Sequence, residues 1–488
     1  MTHSLSHLSF ALAAAGLAMH ALAADAPDVQ RVAQAPAAPA APAAPAAAAA
    51  PPAVAPGTVR VPLIPEFLRK EIKDELRKEL REDAIREGWA GPGAVPEWVR
   101  NLKWDGDLRT RYQFDNFLSD NAPAVSVLDT NRNRALTLLN TTQDRQRLRV
   151  RARIGVNSTA DENWSTGVRL TTGSTTDPVS SNQTLGVYNN RLTPAFDRAY
   201  IRFRSGDQFS AVAGRFGNPW FGTDLVWAND LSFDGIALQW TPSFSADTRG
   251  VFTLAALPVQ ELEVSKADKG MVGLQLGLDT VRLPGEATAK LGVAYYYYGR
   301  ISGQTSPAGS TLNEFTAPAF AQKGNTYYNI SSDPNRPLLG LAARYHLLDA
   351  TASLTLPVMG DKFITLTGDL VNNLGFDRAA VAARVGTDVE PKTRGYQVRL
   401  ALGSSEVAKA GDWQTFVGYK RVERDAVLDA FTDSDFRLGG TDAKGYSVGA
   451  SYGLGRNTAA SLRVLSADSI SGAPLSIDVI QFDVQVRF

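Results

Sequence analysis

Arg145-Gln-Arg-Leu-Arg-Val-Arg-Ala-Arg-Ile154 places an arginine at every odd position from Arg145 to Arg153, and from Leu148 an apolar residue at every even one. Side chains alternate across a β-strand, so Arg145, Arg147, Arg149, Arg151 and Arg153 project from one face and Leu148, Val150, Ala152 and Ile154 from the other. On a soluble protein the apolar face would pack on a core and the arginines would meet water. In a transmembrane barrel the apolar face meets lipid and the arginines face the lumen.

The same rhythm extends in both directions. Upstream, Trp104, Leu108, Tyr112 and Phe114 alternate with Asp105, Asp107, Arg109, Arg111 and Gln113. Downstream, Ala199, Ile201 and Phe203 oppose Arg198, Arg202 and Arg204, and Val272, Leu274, Leu276 and Leu278 oppose Gly273, Gln275 and Asp279. Tyr396, Val398, Leu400 and Leu402 oppose Gln397 and Arg399, and Tyr446, Val448, Ala450 and Tyr452 oppose Ser447, Gly449 and Ser451. The final segment sets Ile480, Phe482, Val484, Val486 and Phe488 against Gln481, Asp483, Gln485 and Arg487. The pattern predicts an all-β, transmembrane, antiparallel up-and-down barrel over 102–488, with about sixteen strands of roughly 10–13 residues.

The links sort into short and long. Short ones are Ser158–Asp161, Ser205-Gly206, Pro242–Phe244, Met359-Gly360 and Leu454–Arg456; long ones are Phe117–Gln143, Ser174–Phe196, Gly217–Asp230, Ile301–Leu339, Gly375–Lys392 and Asp425–Asp442. The expectation is strict alternation, with turns on the periplasmic side and long loops outside. Every backbone group in lipid needs a partner, so the sheet must close, and about sixteen strands enclose a ring wide enough for water.

Composition agrees and excludes alternatives. Lys plus Arg and Asp plus Glu both number 50, which argues against nucleic acid as a partner. Cysteine is absent and histidine numbers four, three of them within the first 20 residues, so His346 stands alone in the body of the chain. A lone histidine is far more often structural than catalytic. With no phosphate loop and no metal-ligand spacing, the expectation is no enzyme activity, no cofactor and no metal.

The N-terminus reads as an export address. Leu5 to Leu22 is apolar and ends at Ala21-Leu22-Ala23, a small-x-small cleavage pattern, so 1–23 is expected to be a signal peptide. Residues 24–64, nearly pure Ala and Pro over 35–56, favour extended polyproline geometry and form a semi-rigid periplasmic linker. Residues 65–88 predict a periplasmic helix that starts after Pro65 and stops at Gly88. Leu68, Ile72, Leu76 and Leu80 form one narrow apolar stripe. Two readings stay open: a solvated helix with a greasy seam, or a short coiled coil that joins subunits.

The strings GDLRTRY, RQRLRVRARIG, NWSTGVRLTTGSTTDPVSSNQTLG, FDRAYIRF and AGRFGNPWFGTDLVWANDLSFDGIALQW, with the terminal Phe488 and the preceding VPLIPEFLRKEIKDELRKEL, resemble the bacterial putative porin family. The resemblance covers nearly all of the chain after the Ala/Pro linker. It implies an outer-membrane barrel with pore activity, set among lipid and lipopolysaccharide. The terminal aromatic strand ending at Phe488 resembles the sorting signal read by the outer-membrane assembly machinery. Barrels of this size are usually homotrimers. The resemblance leaves the solute open.

The expected function is a passive channel for small hydrophilic solutes. Arg109, Arg111, Arg145, Arg147, Arg149, Arg151, Arg153, Arg198, Arg202 and Arg204, with Asp105 and Asp107, are the expected pore-lining residues. Asp105, Asp107, Asp115 and Asp197 are in position to pair with some of the arginines. Either the wall is salt-bridged and merely polar, or its field favours anions at a constriction. The alternatives are a substrate-specific anion channel, or a barrel used for adhesion and envelope tethering. The links Gly217–Asp230 and Thr171–Gly186 either fold inward and narrow the pore or stay outside as surface loops. Trp104, Trp164, Tyr295, Tyr297, Tyr446, Tyr452 and Phe488 suit aromatic girdles at the membrane interfaces.

Overall fold

The computed structural model describes residues 101–124, 128–129, 137–263, 265–266 and 268–488, together with Lys73, Glu75, Leu76, Lys78, Glu79, Glu82 and Asp83. Those seven are helical, and Leu76 is 54% exposed. The signal-peptide segment 1–23, the linker 24–64, and Leu68, Ile72 and Leu80 of the apolar stripe lie outside the described residues. The unit that follows is a single closed ring of strands.

Its strands are β1 (Leu102–Phe117), β2 (Arg145–Thr159), β3 (Trp164–Thr172), β4 (Pro194–Ser205), β5 (Phe209–Gly217), β6 (Ser232–Trp240), β7 (Thr248–Gln260) and β8 (Lys269–Arg282). They continue as β9 (Thr288–Gly299), β10 (His346–Met359), β11 (Lys362–Asn373), β12 (Arg394–Ser404), β13 (Trp413–Val422), β14 (Ala443–Gly455), β15 (Thr458–Ser469) and β16 (Ser476–Arg487). The main sheet has 17 strands, one of which is the two-residue piece Gln183–Thr184 lying against β2; the other sixteen form the ring. Each pairs antiparallel with its sequence neighbours, and β1 also pairs with β16, from Asp107↔Arg487 to Phe117↔Ile477. That seam leaves no open edge, as a sheet in hydrocarbon requires. Phe488 completes it by exchanging two backbone hydrogen bonds with Gly106, at 3.0 and 3.1 Å. A Cβ on Gly106 would lie 2.5 Å from the Arg153 carbonyl oxygen and 2.6 Å from the Phe488 ring, so glycine makes room for that ring against β1.

The two-residue rhythm has sorted the faces. Outward positions are apolar and exposed on the isolated chain: Trp104, Leu148, Ile201, Leu370 and Tyr452 are 53–63% exposed. Inward positions run from charged, such as Arg111 and Asp115, to apolar at the loop ends of the strands, such as Phe117, Phe216, Phe233, Met271 and Leu347. The buried apolar cluster therefore sits inside the ring, where these residues meet Leu225, Trp227 and Ile330 from the loops.

The alternation of link lengths is not strict. Links 118–144, 173–193, 218–231, 300–345, 374–393 and 423–442 are long, but 261–268 and 470–475 are short and stand at the same end of the ring. Closing an antiparallel pair needs only a few residues at either end, so length is set by what a loop does and not by ring closure. The turns also move from their expected places: Ser158 and Thr159 still pair with Thr166 and Ser165 in the sheet, and the turn follows at 160–163. The Ile301–Leu339 link runs on to 345, because Leu339–Leu341 pairs with Tyr327–Asn329 inside the loop and not with the wall. Strands run from 9 to 16 residues.

Candidate functional site

The arginine-rich wall is built by β1, β2 and β16. Consecutive inward positions on neighbouring strands stand side by side, so each guanidinium meets whatever its partner strand presents. Arg151 and Arg153 both donate to Asp107, at 2.8 and 2.6 Å. Arg147 donates to Asp115 at 2.5 Å. Arg111 holds Asp483 of β16 at 2.7 Å and reaches Asp435 of the 423–442 loop at 3.0 Å. Arg109 donates to Asn182 at 2.6 Å, with Asp483 at 3.9 Å. Arg149 donates to Gln113 at 3.2 Å. On the next strands Arg169 pairs with Asp197.

The 218–231 loop folds into the ring and crosses it. The lumen face of β8 and β9 carries glycines where it seats. A Cβ on Gly273 would lie 2.7 Å from the Trp220 ring, and one on Gly292 would lie 3.1 Å from Phe221. Gln275 grips the Phe221 peptide at both ends, accepting from its N–H at 2.8 Å and donating to its carbonyl at 2.6 Å. The Thr223 hydroxyl donates to Asp369 of β11 at 2.5 Å. Gln397 of β12 and Lys420 of β13 hold Asp224 at 2.7 and 3.1 Å. Trp227 packs edge-on against Tyr296 at 5.1 Å, and Asp230 reaches the far wall at Arg151, 3.3 Å away. Successive contacts thus run from β8 through β13 and back to β2.

Two further loops cover it. In the 423–442 loop the Phe431 carbonyl accepts a hydrogen bond from the Ala228 N–H at 2.8 Å, and Asp435 anchors the loop on Arg111 and Arg463. The 300–345 loop packs on that loop in turn: Tyr327 donates to Asp429 at 2.9 Å, and Thr326 donates to Asp425 at 2.5 Å. From the other side, Ser181 of the 173–193 loop donates to Asp230 at 2.6 Å.

These loop carboxyls carry divergent proton affinities. Burial pushes Asp224 up, but Lys420 and Gln397 outweigh it and hold the group at about 2. Burial likewise opposes Arg111 and Arg463 at Asp435, and the arginines win, holding it well below the usual range. At Asp433 burial, reinforced by Asp224 and Asp435, outweighs Lys420 at 3.8 Å and Arg463, and the group rises to about 6. Burial raises Asp429 to about 7, against the hydrogen bond from Tyr327.

What space remains is divided. A cavity of about 240 Å³ lies against Arg145, Arg147 and Arg149, with Asp177 and Ser180 opposite. A larger one of about 390 Å³ lies between the inward loop and strands β10–β15, lined by Arg399, Phe416, Lys420, Asp224, Asp433 and Arg463 among others.

Of the residues singled out from the sequence, Arg109 and Arg111 share Asp483, Arg147 pairs with Asp115, and Arg151 and Arg153 share Asp107, three groups on one wall. Asp105 stands apart and accepts from Asn157 at 2.8 Å. Arg198, Arg202 and Arg204 make no ion pair among the described residues, and Arg202 lies over the Tyr200 ring at 5.1 Å. Sequence reading placed Gln275 and Asp483 on the polar face without a role, and missed Asp435, Asp369, Lys420 and Arg463. The signal for Gln275 lies in the run Gly273-Leu-Gln-Leu-Gly277, whose inward face carries glycine, glutamine and glycine, a groove with a hydrogen-bonding floor. His346 lies at the loop end of β10 against the Tyr297 ring, 4.7 Å between centroids.

A family model described as a putative porin matches residues 13–488. No curated protein sequence matches the chain. Among solved structures, Pseudomonas putida OprB at high pH is similar at 11% identity and a TM-score of 0.46, over 81% of this chain and 96% of that one. The outer membrane channel DcaP of Acinetobacter baumannii is similar at 9% identity and a TM-score of 0.41, over 79% and 97%. In-vitro folded OmpT of Vibrio cholerae, in its trimer form, is similar at 11% identity and a TM-score of 0.40, over 79% and 99%.

Proposed function

The chain belongs to the putative porin family, and from that premise we propose that it is an outer-membrane diffusion channel for small hydrophilic solutes, narrowed and made selective by its own loops. The observation that carries the reading is the inward seating of the 218–231 loop, gripped by Gln275, Asp369, Gln397 and Lys420 across a ring whose outside is apolar. A ring of this width without such a loop would be a broad aqueous hole. In this reading Arg109, Arg111, Arg145, Arg147, Arg149, Arg151, Arg153, Arg198, Arg202, Arg204, Asp105 and Asp107 line the path, and the arginines give a preference for anions. The inward loop favours the substrate-specific version of the channel over the unselective one, since it narrows the bore and sets charged and polar side chains against the space beside it.

The surroundings follow from the same reading. Residues 1–23 are removed on export, 24–64 and the helix 65–88 lie in the periplasm, and 102–488 sits in the outer membrane among lipid and lipopolysaccharide. The assembly machinery engages the strand ending at Phe488, and three copies assemble.

The test is planar-bilayer recording with the purified full chain and with a variant in which Phe221–Asn229 is replaced by glycine and serine. Discrete conductance steps are expected from both, several-fold larger in the variant, with weaker anion preference. Equal step sizes would sink the loop's role, and silence from both would sink the channel.

A further inference from the structure

Among the described residues, the 390 Å³ cavity behind the inward loop holds one cation that no carboxylate bonds. Its charged lining is Arg399, Lys420 and Arg463 against Asp224 and Asp433. Lys420 is bonded to Asp224 at 3.1 Å, and Arg463 to Asp435. Arg399, inward-facing on β12, makes no ion pair and no hydrogen bond among the described residues, and its Nε is buried without a partner. It is nonetheless held in place. Its guanidinium lies over the Phe416 ring, 4.0 Å from the centroid. That ring is itself fixed by Gly449 on β14, where a Cβ would lie 2.4 Å from it.

We infer that this cavity is a binding subsite for small carboxylates that carry a planar apolar body. Arg399 presents a rigid fork of N–H donors that matches a carboxylate in two parallel hydrogen bonds. Stacking on Phe416 removes the flexibility that a free arginine would lose on binding. Phe221 from the loop and Phe436 from the 423–442 loop supply apolar surface for the body of the solute. Ser353 and Thr367, whose hydroxyls lie 3.2 Å apart on β10 and β11, give the wall a polar edge. The bonded arginines of β1 and β2 differ: their carboxylate sites are filled by the protein's own aspartates.

The inference rests on the channel reading for its role in transport, so the test separates the two. Benzoate, its neutral analogue benzamide, and inorganic phosphate serve as probes against the purified full chain. In planar bilayers, benzoate is expected to reduce open-channel current at about tenfold lower concentration than benzamide or phosphate, the range of a charge-assisted hydrogen bond. Arg399→Gln should raise the half-blocking benzoate concentration about tenfold. Arg399→Lys, which keeps the charge and loses the fork, should fall between, and Arg378→Gln, on a distant surface loop, should change nothing. Equilibrium binding of radiolabelled benzoate to the detergent-solubilised chain reads the same site without conduction. Arg399-dependent binding by a silent protein would keep the subsite and sink the channel. Equal potency of benzoate and benzamide, or an unchanged Arg399→Gln variant that still conducts, would overturn the subsite. Phosphate matching benzoate would reduce it to a general anion site and overturn the claim for an apolar body.

Discussion

Two walls of one ring use the same alternation to opposite ends. On β1 and β2 the inward arginines are spent: Asp107, Asp115, Asp483, Asp435 and Asp230 take up their donors, two of them supplied by loops that fold inside. On β8 to β13 the inward positions are glycine, glutamine, aspartate and lysine, which hold the crossing loop, and Arg399 is left unspent. Density of positive charge along a strand therefore marks where the barrel is braced. An arginine without a carboxylate that is also held against a cavity wall, as Arg399 is by Phe416, marks where a solute has something to bind.

The largest expected effect breaks or upholds that contrast directly. Arg111 is 3% exposed and holds two carboxylates. Arg111→Ala takes the bonded cation from Asp483, with only Arg109 left at 3.9 Å, and leaves Asp435 with Arg463 alone; loss of one partner from a buried pair costs about 3–5 kcal/mol. The folded barrel of that variant is expected to melt at a clearly lower temperature, read by the shift of the heat-resistant band in detergent gels. Arg399→Ala should melt with the parent, because no carboxylate depends on it. Equal melting of the two variants would erase the distinction between walls.

How much of this the sequence disclosed follows from the range of the interactions. Strand faces were legible because a period of two is local: the alternation in 145–154 and in 480–488 decides which side meets lipid with no knowledge of neighbours. Ring closure followed from the same pattern and the cost of unpaired backbone. Partners across the lumen were not legible. Arg111 and Asp435 are separated by 324 residues, and Thr223 and Asp369 by 146, and no local pattern ties them. The inward course of 218–231 was undecided for the same reason. What settles it is a groove of Gly273 and Gly292 on strands far along the chain, together with Gln275 between them. Counting arginines found the braced wall; it placed Arg399 on the polar face of its strand and gave it no role, because no run of arginines surrounds it.

A smaller effect comes from pH, and it sharpens the contrast at the loops. Asp433 and Asp429 are raised by burial to about 6 and about 7, so the docked 423–442 loop binds protons that an undocked loop, titrating near 3.8, would have released. Docking is therefore fully stabilised below the ordinary carboxylate range and weakens as pH rises through 6 and 7. Asp224 and Asp435 are held low and stay ionised throughout that window, contributing a constant term. Amide exchange in 423–442, corrected for its intrinsic pH dependence, should be less protected at pH 8 than at pH 5, by about two to three orders of magnitude. Asp429→Asn should flatten much of the difference. Greater protection at pH 8 would show that the bonded acids, not the buried ones, govern the loop.

The smallest expected effect uses the same chemistry as the first in a different place. Arg378 and Asp388 form a two-pronged pair at either end of a short helix (Arg378–Val385) in the 374–393 loop, and both side chains are more than half exposed. Water screens such a pair, and holding two long side chains in one geometry offsets most of what remains. Asp388→Asn is expected to leave the melting temperature, the conductance and its salt dependence unchanged. Arg111 with Asp483 matches it in donor, acceptor and bidentate geometry, so the two differ in burial and in the second carboxylate, Asp435, that Arg111 holds. If Asp388→Asn destabilised the barrel as Arg111→Ala does, burial would not be what makes the β1 wall a brace, and the bidentate geometry that both pairs share would be enough.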